Sequence, residues 1–243
     1  MVDAAFWPWL RSELADDVAA IADPADSPSA RRAVGRLHAV LEQFPDFLAL
    51  LVEPWEPVDA SLCEVVLDCA RIHLYARVLD DALDENLPVN RRHLLRAQPL
   101  FWRAVYGIGS RYPALSSSAG ALISVTTGAV ARDDLAADPD SWGRKNLHLL
   151  LAPMLLAEDA PSYRAASAGL TSLIGLAQAR EEAQQGALRD PAVRQSLLQV
   201  LPQWLDPAVL ETMHQHGWTR AAARLLHDGQ ALMRSMDKQT NAI

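Results

Sequence analysis

Asp59-Ala-Ser-Leu-Cys-Glu-Val-Val-Leu-Asp-Cys-Ala-Arg-Ile-His-Leu-Tyr-Ala-Arg-Val-Leu-Asp-Asp-Ala-Leu-Asp-Glu85 is the stretch on which the fold turns. At about 100° per residue, Leu62, Val66, Cys69 and His73 fall on one stripe of a helix, which runs on through Arg77 to Asp80 and Asp84. The spacing predicts a helix over 59–86 whose core-facing surface ends in carboxylates. Acids ordinarily take the solvated face, so the alignment predicts a cavity at the helix's C-terminal end. Asp81 and Glu85 thicken the cluster, which lies at the negative end of the helix dipole and is unfavourable there without cations. An i, i+4 carboxylate pair suits a hard cation such as Mg²⁺, with water and phosphate oxygens completing its octahedron. The competing reading is a frayed, solvated helix end relieved by Arg77, Arg91 and Arg92.

Outward from this stretch, Pro, Asp, Ser and Asn separate segments of helical periodicity, and strand signals are missing. Ten helices are expected, over 9–22, 28–52, 59–86, 90–110, 114–134, 141–157, 161–187, 191–203, 206–216 and 218–238. Ser27 and Asp59 stand where they can cap helices, and Pro161 behind Asp159 reads as a first-turn proline after an acidic cap. Gly107 to Pro113 predicts a turn. No Gly/Ser-rich or Pro-rich linker divides the chain, so the expectation is one all-α domain over 1–243, a helical bundle.

The 243 residues, 50% hydrophobic and 21% charged, suffice for one substantial core. A net charge of −8 without a Lys/Arg stripe that could follow a phosphate backbone argues against a nucleic-acid partner. Acids appear early in Met1-Val-Asp-Ala-Ala-Phe-Trp-Pro-Trp-Leu10 and beyond, with no positive region or apolar run of signal-peptide length, which points to a cytoplasmic protein. The longest apolar run, Leu147 to Ala157, is interrupted by His148 and Pro153 and falls short of the ~20 residues of a membrane span. Cys63 and Cys69 would lie roughly 9 Å apart along a helix and on different faces, so they read as reduced thiols rather than a disulfide.

Tyr75-Ala-Arg-Val-Leu-Asp-Asp-Ala-Leu-Asp-Glu-Asn86 resembles the first aspartate-rich motif, DDxxD or DDxxDE, of the class I isoprenoid synthases. These include prenyl diphosphate synthases, squalene and phytoene synthases and class I terpene cyclases. The resemblance implies a bundle around a deep, central apolar pocket, with acidic motifs on two facing helices that hold Mg²⁺ and a substrate diphosphate. Asp80 and Asp84 would ligate the metal, with Asp81 beside them in the catalytic cluster. Gln178-Ala-Arg-Glu-Glu-Ala-Gln-Gln185 is similar to the second motif, QxxDDxxD, with Glu181 and Glu182 at the paired-aspartate positions and as metal ligands. Gln185 replaces the last aspartate of that pattern. Read as Glu181 to Gly186, the stretch is also similar to the EDxRRG-like element of squalene and phytoene synthases, and Gln178 then stands where that group has an aspartate. Gly143-Arg-Lys-Asn-Leu-His148 resembles the segment whose lysine faces the diphosphate, which makes Lys145 the candidate. The likeness covers residues 60–190.

Under this resemblance the chain ionises an allylic prenyl diphosphate, and coupling, cyclisation or capture by water follows. Asp80, Asp84, Glu181 and Glu182 would hold Mg²⁺, while Arg77, Arg132, Lys145, Gln178 and Gln185 contact the substrate. The two acidic helices are expected to face each other across a shared cavity, and a homodimer is compatible with the reading. Phe101, Trp102, Tyr106 and Trp218 are candidate lining residues, with ordinary core packing the alternative, and His73 reads as a core histidine. The alternative function is a noncatalytic subunit of the same fold that binds a partner synthase or a prenyl ligand, which the glutamines of the second motif favour. A di-iron bundle needs Glu-x-x-His on two helices, and Glu211 with His214 is a lone match. His214 and His216 diverge by about 200° on a helix, and no nucleophile elbow, P-loop or dinucleotide fingerprint occurs.

Overall fold

The computed structural model describes residues 3–22, 27–56, 58, 60–83, 91–130, 139–157 and 161–240, and among them every regular element is helical. The all-α expectation holds. Asp59, Asp84, Glu85, Arg132 and Asp159 lie outside the described residues, as do the side chains of Asp81 and Arg91. The helices form two compact units, Met1–Ala119 and Gly120–Ile243.

The first unit contains α1 (Asp3–Ile21), α2 (Pro28–Leu51), α3 (Ala60–Leu83) and α4 (Arg91–Arg111). In α1, Phe6, Leu10, Leu14, Val18 and Ile21 recur every three or four residues and all are buried. The helix begins at Asp3 rather than at residue 9, with Pro8 inside it and its ring exposed. Past the first turn, Pro8 lacks the N–H that would bond the Ala4 carbonyl, and burial of Phe6 and Leu10 on the same helix offsets that loss. Arg96 Nη1 donates to the Ile21 carbonyl at 3.2 Å, satisfying an acceptor that the helix end leaves without an internal partner.

α3 and α4 form an antiparallel hairpin. Two contacts set its register: Asp68, early in α3, is ion-paired with Arg111 at the end of α4, and the Tyr75 and Phe101 rings lie 4.6 Å apart. A side chain at Gly107 would run into the Asp68 carboxylate, so the glycine makes room for that pair. On α3 Val66, Cys69 and His73 of the expected stripe are buried, but so is every other residue from Val65 to Leu74, so the helix is enclosed on all sides there; His73 is stacked on Phe44 of α2 at 4.3 Å. Both cysteines are free thiols, as expected, and burial raises the pKa of Cys69.

α5 (Ser116–Val130) runs across the boundary into the second unit, which continues with α6 (Pro139–Arg144), α7 (Leu151–Leu156), α8 (Pro161–Gln185), α9 (Pro191–Trp204), α10 (Pro207–Gln215) and α11 (Thr219–Thr240). α8 is the central element, with α6, α9, α10 and α11 packed around it. Its Leu170, Leu173, Ile174, Leu176 and Ala179 are buried. Asp-Pro-Ala-Val occurs twice, at 190–193 and 206–209, and each time starts a helix: Asp190 accepts from the Ala192 N–H and Asp206 from the Ala208 N–H, both at 2.8 Å. Each cap is worth ~1 kcal/mol, and the proline occupies the first turn, where its missing N–H has no helical partner to lose. α10 closes through Gly217 at φ 92°, where the Trp218 N–H bonds the Met213 carbonyl at 2.9 Å and Trp218 is drawn fully into the core.

The single helix expected over 141–157 is corrected. α6 stops at Arg144, a turn holds Lys145 and Asn146, a 3-10 turn spans Leu147–Leu150, and α7 follows. Tertiary bonds replace the helical ladder there: the Asn146 side chain reaches α8, and the His148 N–H donates to Thr126 Oγ1 at 3.0 Å. The helix expected over 114–134 begins at Ser116, after a 3-10 turn over Pro113–Leu115 that fits the predicted break.

Candidate functional site

In the second unit α6 approaches α8 closely because two glycines meet. A side chain on Gly143 would come within 3.3 Å of the Gly175 Cα, and one on Gly175 would come within 2.9 Å of the Trp204 ring. The turn after α6 therefore lies against α8. Asn146 Nδ2 donates to Gln178 Oε1 at 2.8 Å, and Gln178 Nε2 donates to Glu182 Oε1 at 3.0 Å. Gln178 is buried and uses both ends of its amide, while Lys145, beside Asn146, is buried as well. Sequence reading connected 143–148 and 178–185 only through resemblance; the structure brings them into one hydrogen-bonded assembly.

On α8, Gln178, Glu181, Glu182 and Gln185 fall within about one third of the helix circumference. Glu181 and Glu182 are half-buried, and Gln185 is exposed at the helix end, just before Gly186 at φ 98°. Arg180 lies on a different face and is ion-paired with the buried Asp228 of α11, which also takes Arg224 at 2.5 Å. Arg180 thus serves the α8–α11 contact.

In the first unit Asp80 is half-buried near the end of α3, its side chain 21% exposed, and accepts from Arg77 Nη1 at 3.0 Å. The competing reading of the acidic segment foresaw arginine relief, and for Asp80 the structure supplies it from Arg77. Asp81 lies within α3, whereas Asp84 and Arg132 are outside the described residues.

Further up α3 lies a buried charge cluster that sequence reasoning missed. Arg71 Nε donates to Asp17 Oδ2 of α1 at 2.8 Å, and Glu13 lies 3.7 Å from the same guanidinium. Burial opposes the charge of Arg71, but the Asp17 hydrogen bond and the surrounding carboxylates outweigh it and raise its pKa. Burial likewise pushes the Asp68 carboxyl up to about 6, against the opposing pull of Arg111 and Arg71. The available signal was a charged pair, Asp68 and Arg71, inside a run from Val65 to Leu74 whose other residues, His73 apart, are apolar.

Two candidate lining residues are placed elsewhere. Trp102 and Tyr106 are 58% and 78% exposed on the outer face of α4, because their spacing defines a second stripe of that helix, opposite its buried one. Phe101 is half-buried against Tyr75, and Trp218 is core.

The described oxygen donors are carboxylates and amides, the hard ligands that match Mg²⁺. Among the described residues no three His, Cys, Asp or Glu side chains converge to hold an ion. Comparison of the chain with protein-family models, with curated proteins and with solved structures finds no significant match. Among the described residues no helix is long and apolar enough to cross a membrane.

Proposed function

We propose that this chain is a Mg²⁺-dependent class I isoprenoid synthase that ionises an allylic prenyl diphosphate, followed by coupling or cyclisation. The observation that carries the reading is the Asn146–Gln178–Glu182 hydrogen-bond chain beside buried Lys145. It gives the two weaker family-like segments a common structural role, although 32 residues separate Asn146 from Gln178.

In this reading Asp80 and Asp84 are the metal-holding residues of the first acidic segment, and Glu181 and Glu182 are those of α8. Bound Mg²⁺ supplies charge neutralisation to the departing diphosphate. Lys145, Arg77 and Arg132 bind diphosphate oxygens through point charges and guanidinium forks. Arg77, now paired with Asp80, then shares its guanidinium with the substrate. Gln178 carries no charge; its function is to fix one oxygen of Glu182, with Asn146 fixing Gln178 in turn. Gln185, exposed at the end of α8, contacts the outer part of the diphosphate.

The noncatalytic alternative is favoured by one observation: Gln178 commits both ends of its amide to protein partners where the related motifs place an acid or a substrate-facing group. Incubation with C10, C15 and C20 allylic diphosphates and Mg²⁺, followed by assay of released diphosphate and prenyl products, separates the two. Metal-dependent release with at least one chain length is expected. No release with any of them, together with saturable binding of a prenyl ligand, would establish the noncatalytic reading.

A further inference from the structure

α4 has two apolar stripes. Ala97, Leu100, Ala104 and Ile108 are buried with His93 against the rest of the unit. Leu95, Pro99, Trp102 and Tyr106, spaced four, three and four residues apart, form the other stripe on the outer face; Leu95 is 66% exposed, and Trp102 and Tyr106 are mostly exposed as well. Large side chains rarely gather in a row on a solvated helix face without a partner. The sequence of α4 holds five arginines and no acid, in a chain of net charge −8; Arg111 is ion-paired with Asp68 and Arg96 bonds the Ile21 carbonyl. Arg92 and Arg103 are exposed and lie, by helical spacing, along one edge of the outer stripe, with half-buried Arg96 beyond them.

We propose that this outer face of α4 rests on an anionic phospholipid surface, with Leu95, Trp102 and Tyr106 entering the headgroup boundary and Arg92 and Arg103 meeting lipid phosphates. Charge complementarity selects the occupant, because α4, arginine-rich and acid-free where the other described helices are not both, is drawn to a negative surface. Residue chemistry agrees: tryptophan and tyrosine present an apolar ring and a polar tip, and arginine reaches outward from an apolar stem, which is the composition of a helix lying in a membrane interface. A protein partner fits less well. The three exposed side chains offer on the order of 400 Å² of surface, about half of the ~800 Å² that each side of a stable complex contributes. Nucleic acid also fits less well, since aliphatic Leu95 and Pro99 share the row with the aromatics and stack poorly on bases. The contact lies in the plane of the bilayer and requires no spanning helix, and it is independent of the roles assigned to the acidic residues.

The test is co-sedimentation of the full chain with vesicles of pure phosphatidylcholine and with vesicles of phosphatidylcholine and phosphatidylglycerol in equal parts. Each arginine near an anionic surface is worth roughly fivefold in binding. Binding to the mixed vesicles is therefore expected to exceed binding to the neutral ones by at least tenfold and to weaken with salt. Leu95→Ser, Trp102→Ser and Tyr106→Ser combined should lower binding to the mixed vesicles at least tenfold while circular dichroism stays helical. Arg92→Gln with Arg103→Gln leaves the apolar row intact, and should remove most of the lipid-charge dependence even if the triple variant fails to fold. Equal binding to both vesicles, no binding to either, or unchanged binding by the arginine variant overturns the proposal. So does a dimer of the wild-type chain that dissociates on the serine substitutions without vesicle binding, or binding to a single-stranded oligonucleotide in preference to the mixed vesicles.

Discussion

Asn146 and Gln178, 32 residues apart, share a 2.8 Å hydrogen bond, and through it the turn after α6 fixes the amide that in turn holds Glu182. Asn146→Ala removes the donor and leaves Gln178, which is buried, with one partner fewer. The loss in stability is expected to be about 1–3 kcal/mol, the cost of leaving a buried acceptor unsatisfied. If the proposed activity holds, Glu182 then loses its fixed orientation and Mg²⁺-dependent diphosphate release should fall by at least ~10-fold, a displacement effect of the kind that positioning residues exert. Urea denaturation and steady-state release assays measure the two effects separately. A stability loss with unchanged kcat/KM would confine Asn146 to a structural role.

Gly175→Ala tests whether the glycine crossing builds the assembly. Alanine favours a helix interior over glycine by roughly 0.5–1 kcal/mol. Against this, the new methyl would meet the Trp204 ring at 2.9 Å, in a segment already crossed by Gly143. Overpacking of this kind costs typically ~1–3 kcal/mol, so the clash outweighs propensity and a net loss of ~1–2 kcal/mol is expected. The denaturation midpoint is the readout, and a stabilised variant would mean that Trp204 yields freely.

How far the sequence anticipates these contacts depends on the distance between partners. The burial of Val66, Cys69 and His73 on α3 is legible because they follow a local helical period, whereas the burial of the whole circumference from Val65 to Leu74 is not, because it depends on what packs around the helix. The break at Lys145 and Asn146 is not, since nothing within 141–157 competes with a helix until Gln178 and Thr126 are brought alongside. The Asp17–Arg71 and Asp68–Arg111 pairs join residues 54 and 43 positions apart, and although Asp68 and Arg71 stand out in a mostly apolar run, nothing local identifies their partners. On α4 Trp102 and Tyr106 suit either a pocket lining or ordinary core by residue type, yet they keep helical spacing with Leu95 on the face turned away from the core. Periodicity identifies a stripe; only packing says which of two stripes is buried.

Asp80→Asn separates the metal role of that carboxylate from its pairing with Arg77. Losing the i, i+3 pair costs about 0.2–0.5 kcal/mol, and removing a negative charge near a helix C-terminus returns roughly 0.3–1 kcal/mol. The two nearly cancel, so stability should change by no more than ~1 kcal/mol. Turnover, if Asp80 holds Mg²⁺, should fall by at least ~100-fold, because a neutral amide is a far weaker ligand for a hard cation. Full activity in this variant would leave Asp80 as the ion-paired end of α3 and nothing more.

The strongest pH dependence is expected at Asp68. Its carboxyl, ordinarily near 3.8, is pushed up to about 6 by burial, and its side chain is only 5% exposed. A folded-state pKa above the unfolded one means that the folded chain holds this proton more tightly. The stability it contributes is therefore complete below about pH 4 and is lost as pH rises through about 6. At about 1.4 kcal/mol per unit, the change across that window is on the order of 2–3 kcal/mol. Asp68→Asn has no proton to release there, and Arg111, partly exposed, loses its counter-ion by an amount that does not vary with pH. The stability of the wild type minus that of Asp68→Asn should accordingly fall between pH 4 and pH 6 and level off above it, while the other carboxylates cancel in the difference. Urea denaturation of both proteins at intervals across this range gives the curve. Two parallel profiles would show that Asp68 is ionised throughout, held by Arg111 and Arg71 against the effect of burial.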